Sequence, residues 1–174
     1  LLVAFVMLVA CAEKGGPDIP VRHMLLQVDL EENIVVKGQP SEQETTFNTI
    51  RIYAYLNATG DIIGSFYRGT VSSDPIYVDL ALPVKGVHDV EFFVFVNESS
   101  AKMPDGFGFR ERMTREELRQ MRFTSLNQTG GVPLYCRQIE KIDVSRISEE
   151  FNPAAGHGAH HYLIEKVTFS LRQS

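Results

Sequence analysis

The feature that most constrains this chain is a recurring period-two apolar pattern, interrupted at short intervals by polar, turn-forming stretches. Ile50-Arg51-Ile52-Tyr53-Ala54-Tyr55-Leu56 shows it most clearly. Successive strand side chains point to opposite faces, so this alternation predicts a strand between two unlike environments. Asn57-Ala58-Thr59-Gly60-Asp61 then reads as a turn, and Ile62-Ile63-Gly64-Ser65-Phe66-Tyr67 as the returning strand of a hairpin. Upstream, Met24, Leu26, Val28 and Leu30 fall on one face and Gln27, Asp29 and Glu31 on the other, with Ile34-Val35-Val36 as a candidate extension. Further strands are predicted over 76–82, 138–144 and 162–172. Val90-Glu91-Phe92-Phe93-Val94-Phe95-Val96 is almost continuously apolar, which predicts a central strand buried on both faces and ended by Asn97.

One helix is signalled. Thr114-Arg115-Glu116-Glu117 is a capping-box pattern, with Thr114 as N-cap and Glu117 reaching back to it. Leu118 and Met121 then share an inward stripe. Short strands, turns and a single short helix together predict a mainly β protein, an antiparallel β-sandwich or small barrel.

The N-terminus has a different character. Leu1 to Ala10 are all apolar and the run stops at Cys11. A spanning helix needs about 20 apolar residues, so this run is too short for one and has the length of a signal-peptide h-region. No initiating Met and no basic n-region precede it. Leu8-Val9-Ala10-Cys11 resembles the bacterial lipobox, whose cysteine is acylated and becomes the mature N-terminus. The expected organisation is therefore an h-region over 1–10, a lipidated tether over 11–22 and a β domain over 23–174. Two or more acyl chains are needed for firm anchoring, which a lipidated Cys11 would supply.

Composition excludes several functions. A formal net charge of −5 argues against a nucleic-acid partner, because phosphate binding needs a basic face. Only two cysteines occur; with Cys11 consumed by lipid, Cys136 is left single, so no disulfide framework is expected. Cys136 reads as a small buried hydrophobe. His157, His160 and His161 lie among Gly156, Gly158 and Ala159, which reads as a solvated loop rather than a metal site. Asp105-Gly106-Phe107-Gly108 lacks the Lys of a phosphate loop. The sequons at Asn57, Asn97 and Asn127 are assigned no role. No spaced carboxylate pair can be assigned to one face, so no glycosidase site is arguable. No cofactor, metal or catalytic residue is expected.

The order of these segments resembles the N-terminal domain of the fimbrillin family, the fimbrial subunits and anchor proteins of Bacteroidetes. The resemblance is carried by the lipobox, the alternating strand and polar linker after it, "IRIYAYLNATGDII", "VEFFVFVNESS", "MTREELRQM", and "VPLYCRQIEKIDV" with "VTFSLRQS". It implies a transthyretin-like β-sandwich, truncated here at its C-terminus, on an outer-membrane lipoprotein displayed at the cell surface. It also implies assembly with other fimbrial subunits by strand exchange. In that family a trypsin-like protease cuts after an Arg and removes the first strand, and the emptied groove accepts a strand from the next subunit. Here that strand would be residues 23–36, with Leu26, Val28 and Leu30 filling the pockets. The sequence departs from the family pattern at the cut: no Arg lies between Val36 and Phe47, only Lys37, while Arg22 lies ahead of the strand. Cleavage at Lys37 would release the strand; without it the subunit would stay anchored.

Two other classes stand beside a pilus subunit or anchor. A lipid-anchored module binding a host or bacterial surface ligand, such as a glycan, would use Tyr53, Tyr55 and Tyr67 as a stacking platform. The plainer alternative makes them cross-strand pairs against a neighbouring sheet. An envelope enzyme finds no supporting constellation.

Overall fold

The computed structural model describes residues 21–32, 47–70, 74–102, 106–123, 132–147 and 162–173. In chain order the elements are β1 (Val21–Glu32), β2 (Ile50–Leu56), β3 (Ile62–Arg68), β4 (Ile76–Pro83) and β5 (Val87–Val96). They continue with β6 (Ala101–Lys102), α1 (Arg115–Gln120), β7 (Arg122–Phe123), β8 (Leu134–Asp143) and β9 (Leu163–Gln173).

Seven strands form one sheet in the order β3-β2-β5-β8-β9-β1-β4, while β6 and β7 make a separate short ladder. The sheet folds over on itself into a barrel-like sandwich. One layer is β3-β2-β5-β8 and the other β9-β1-β4. The layers join where the end of β9 pairs with the start of β8, at Leu134↔Gln173 and Tyr135↔Arg172. The expected mainly β sandwich with one short helix is what is observed.

Alternation explains the interior. Ile50, Ile52 and Ala54 of β2, Phe92, Val94 and Val96 of β5, and Met24, Leu26 and Val28 of β1 all point between the layers. They meet Ile76, Val78, Leu80 and Leu82 of β4 and Phe169 and Leu171 of β9 in one apolar core. From Val90 to Val96 β5 is buried on both faces, as its almost continuous apolar run implies. Asn97 ends it in a left-handed conformation (φ 56°) that asparagine tolerates. Its side chain accepts from the Asn48 N–H and donates to the Val132 carbonyl, both at 2.8 Å. This burial leaves the sequon at Asn97 no access for a glycan.

Three expectations need correction. β1 begins at Val21, so Arg22 lies inside the strand, paired with Leu82, and not ahead of it. The apolar alternation starts only at Met24 because residues 21–23 are laddered but exposed. β8 starts at Leu134, four residues before the predicted strand; Leu134 and Cys136 face the core there. The sheet is also not wholly antiparallel, since β1 runs parallel to β9. A period-two pattern reports burial on one face and is blind to the direction of the neighbour. Residues 33–36 lie outside those described.

The two edge strands, β3 and β4, approach without forming a ladder. A Cβ at Gly64 would sit 2.5 Å from the Asp79 carbonyl oxygen and 2.8 Å from a Leu80 methyl. The layers close this tightly only because residue 64 has no side chain. Gly64→Ala should therefore push β3 from β4 and cost about 1–3 kcal/mol, the range for overpacking. Gly108→Ala, where a Cβ would meet nothing within 4 Å, should stay within about 0.5 kcal/mol. Urea midpoints of the two variants check the contrast.

Candidate functional site

Two places stand out from the packing, and the first is the slot that β1 fills. This strand is hydrogen-bonded along both edges, antiparallel to β4 from Val21↔Pro83 to Val28↔Ile76 and parallel to β9 from Leu25↔Leu163 to Glu32↔Leu171. Neighbouring strands lie about 4.8 Å apart, so β4 and β9 are held about two spacings apart by β1 alone. Leu26 sits opposite Val78 and Glu165, and Val28 opposite Ile76 and Val167. Both side chains are buried in the core, and Leu30, opposite Phe169, packs partly buried against it. On the outward face Asp29 meets Lys166 of β9 at 2.6 Å. The three side chains expected to fill pockets are thus together on one face of β1. Of the two processing residues, Arg22 is exposed but held in the ladder with β4. Lys37 and the lipidation residue Cys11 lie outside the described residues, as do His157, His160 and His161.

The second place is the outer face of β2 and β5. Tyr53 and Tyr55 do lie on that face, but they are buried, so the stacking platform expected of a glycan-binding module is not there. The cover comes chiefly from α1 and the segment leading into it: Phe109, Met113, Leu118 and Met121 pack on Tyr53, Tyr55, Phe93 and Phe95, with Phe123 of the short β6–β7 ladder beside them. The capping box forms as expected, with the Thr114 N–H donating to Glu117 at 2.7 Å and the Glu117 N–H to Thr114 Oγ1 at 3.2 Å. The Tyr53 hydroxyl donates to the Arg110 carbonyl and that of Tyr55 to the Met113 carbonyl, which fixes the approach to α1 over the sheet. Burial pushes both phenols above their usual range. Tyr67 is about half exposed, yet one of its faces carries the Arg51 guanidinium, 4.2 Å from the ring centroid. Arg51 is itself gripped by Glu98 through two hydrogen bonds of 2.6 and 2.8 Å.

Beside this cluster sits Glu91, 1% exposed on the same face of β5. Its carboxylate accepts from Arg137 Nε of β8 at 2.5 Å, from Arg115 at 3.2 Å and from Arg119 at 3.4 Å. Arg115 also donates to Asn57 Oδ1 at 3.1 Å, joining α1 to the β2–β3 turn. These contacts escaped the sequence reading. The signal was there: a lone carboxylate inside a strand buried on both faces requires cationic partners. Arg115 and Arg119, at i and i+4 of one helix, were the pair available.

Burial alone would raise the Glu91 carboxyl, but the hydrogen bond and charge of Arg137, with Arg115 and Arg119, outweigh it and hold it below the ordinary range. A depressed folded-state pKa contributes stability that is complete above the unfolded value of 4.5 and fades as pH falls through the folded value. Glu91→Gln should therefore destabilise near neutrality, and the gap from wild type should narrow below about pH 4.5. Urea midpoints taken across that window test the sign.

Cys136 is buried with its Sγ 3.6 Å from Gln138 Oε1, and burial pushes its thiol up, as befits a small core side chain. Among the described residues no three His, Cys, Asp or Glu side chains gather as a metal site. Among them, too, no helix is long and apolar enough to cross a membrane, which does not bear on β-barrels.

No family model and no curated protein matches the chain. Among solved structures it is similar to a fimbrial assembly protein from Parabacteroides distasonis, at 13% identity and a TM-score of 0.44, over 88% of this chain and 53% of that one. It is also similar to the fimbrial anchor protein Mfa2 from Porphyromonas gingivalis, at 11% identity and a TM-score of 0.43, over 87% of this chain and 50% of that one. The chain thus spans about half the length of the solved structures it is similar to.

Proposed function

We propose that this chain is a structural or anchor subunit of a bacterial surface fimbria. It is exported as an outer-membrane lipoprotein acylated on Cys11 and assembled with other subunits by β-strand exchange, without catalysis. The observation that supports this reading best is the position of β1. It is the first strand among the described residues, yet it sits inside the sheet, with both edges laddered and its apolar face buried.

A strand so placed leaves a specific vacancy when it is taken out. Two rows of backbone donors and acceptors, on β4 and β9, would be bared together with the pockets of Leu26, Val28 and Leu30. An incoming strand of matching alternation satisfies both sets at once. Cleavage after Lys37 would separate β1 from the rest of the chain while it is still seated. Cleavage after Arg22 would remove the tether with the first two residues of β1 and leave the rest of the strand attached to the domain, and the ladder with β4 protects that bond from a protease needing an extended substrate. An uncut chain keeps its strand and its lipid and serves as an anchor.

Mass spectrometry of the mature protein from its native outer membrane tests the reading. A diacylated N-terminal Cys11 with residues 23–36 retained indicates an anchor subunit. A mature N-terminus at Gly38 indicates a polymerising one. Unprocessed Leu1 to Ala10 without lipid contradicts the proposal.

A further inference from the structure

The arginine cluster on Glu91 holds more positive charge than its own acids balance. Three guanidiniums converge on one buried carboxylate, and their side chains are 25% (Arg115), 38% (Arg119) and 44% (Arg137) exposed. Glu116, largely in solvent, is 3.7 Å from Arg119 and offsets one charge. Arg115 spends its remaining hydrogen bonds on Asn57. Arg137 engages Glu91 through Nε, and its two terminal nitrogens make no hydrogen bond among the described residues. A guanidinium tethered by Nε presents those terminal nitrogens as a fixed pair of parallel donors, the geometry that takes a carboxylate in two-point fashion. Its plane is further steadied by Phe93, with the ring centroid 5.7 Å away.

What flanks the fork narrows the partner. Ile139 is two residues along β8, on the same outward face, and 51% exposed. Beyond it on that face are Lys141 and, opposite in the ladder, Asp89, both exposed. A large aliphatic side chain next to a charged fork suits a ligand that alternates acid and hydrocarbon. An extended acidic protein segment does so at the two-residue spacing that β8 presents. A sulfated or phosphorylated glycan has no comparable use for Ile139.

We infer that Arg119 and Arg137, flanked by Ile139, form a docking site for an acidic segment of a protein partner, in which Glu91 acts as the positioning residue that sets the Arg137 fork. The site is separate from the β1 slot and does not depend on strand exchange.

The probe is a capped, fluorescently labelled peptide of alternating Glu and Val, titrated against the whole chain by anisotropy at low salt, with its Gln-for-Glu counterpart as control. The wild type should bind the Glu peptide, lose it as salt rises, and ignore the Gln peptide. Arg119→Gln with Arg137→Gln should weaken binding by tenfold or more. Because that pair leaves Glu91 with Arg115 alone and can destabilise the fold, Ile139→Gln serves as the second variant. Ile139 lies opposite Glu91 in the β5–β8 ladder, so the replacement is neutral and sets no like charge beside that carboxylate. It removes the exposed aliphatic contact and should weaken binding severalfold at unchanged thermal stability. Absence of binding to the wild type overturns the inference, as does binding that Ile139→Gln leaves unchanged. Heparin bound through these arginines while the Glu peptide is ignored also overturns it, in favour of a polyanionic glycan.

Discussion

Phe92→Ala should be among the most damaging single changes in this domain, costing about 3–5 kcal/mol. Phe92 is fully buried on the inner face of β5, and its ring lies 5.0 Å from that of Phe169 at a 53° tilt. That pair bridges the two layers, since β5 belongs to one and β9 to the other. The ladder partner on β2 is Ala54, and on β8 it is Gln138, so no large neighbour on either side can swing in to fill the space. The loss therefore includes both the transfer term and most of the cavity term. In a domain of this size it should appear as a fall in melting temperature on the order of 10 °C. The urea midpoint should fall with the slope of the transition unchanged, because the surface exposed on unfolding is the same.

Leu26→Ala comes next, at about 2–5 kcal/mol. Leu26 is fully buried and lies between Val78 on β4 and Glu165 on β9, at the centre of the slot that β1 occupies. A loss of that size would mean that β1 contributes to the core as fully as the strands on either side of it. Gln27→Ala, on the outward face of the same strand, is the matched control and should change stability by no more than about 0.5 kcal/mol. Unfolding in urea, followed for both variants, separates burial of the Leu26 side chain from mere pairing of the backbone. The same substitution in a donated strand should weaken its hold in proportion, since the pocket it fills is the same.

The parts of the fold that could be read from the chain are those governed by neighbours in sequence. Ile50–Leu56 and Ile62–Arg68 form the expected hairpin because the turn between them supplies Gly60 at φ 81°. The helix follows from Thr114 and Glu117, which satisfy each other's backbone within one turn. What escaped was decided by distant partners. The parallel ladder between β1 and β9 joins segments more than 130 residues apart (Leu25↔Leu163), and no local pattern states a direction. The start of β8 at Leu134 is obscured by Pro133, which reads as part of the turn before it, and by polar Arg137 and Gln138 after Cys136. Tyr53 and Tyr55 were assigned the correct face, yet whether it is covered depends on α1, some 60 residues away. Separations of 24, 28 and 46 residues hid Arg115, Arg119 and Arg137 from Glu91, although its isolation among Val90, Phe92 and Phe93 marks it as a residue in need of partners.

The β1 slot and the Glu91 cluster divide the molecule's work between two faces. The first concerns what lies between the layers, where the apolar side chains of β1 and its two backbone ladders are seated together. The second concerns the outside of the first layer, where α1 is fastened by charge and one edge of the fastening is open to solvent. Changes in one should leave the other intact: Glu91→Gln alters acid stability without touching the seat of Leu26, and Leu26→Ala alters the core without moving the Arg137 fork.

The most direct test of the account is strand exchange itself. A unique protease site is inserted between residues 38 and 46, and the folded protein is cut there. It is then incubated with an excess of isotope-labelled peptide spanning residues 21–36, and uptake is followed by native mass spectrometry. The account expects the labelled peptide to replace the resident β1 one for one, the Leu26→Ala peptide to compete poorly, and cut protein depleted of β1 to associate into oligomers. Cut protein that never takes up the peptide, or that loses β1 and unfolds without associating, would contradict it.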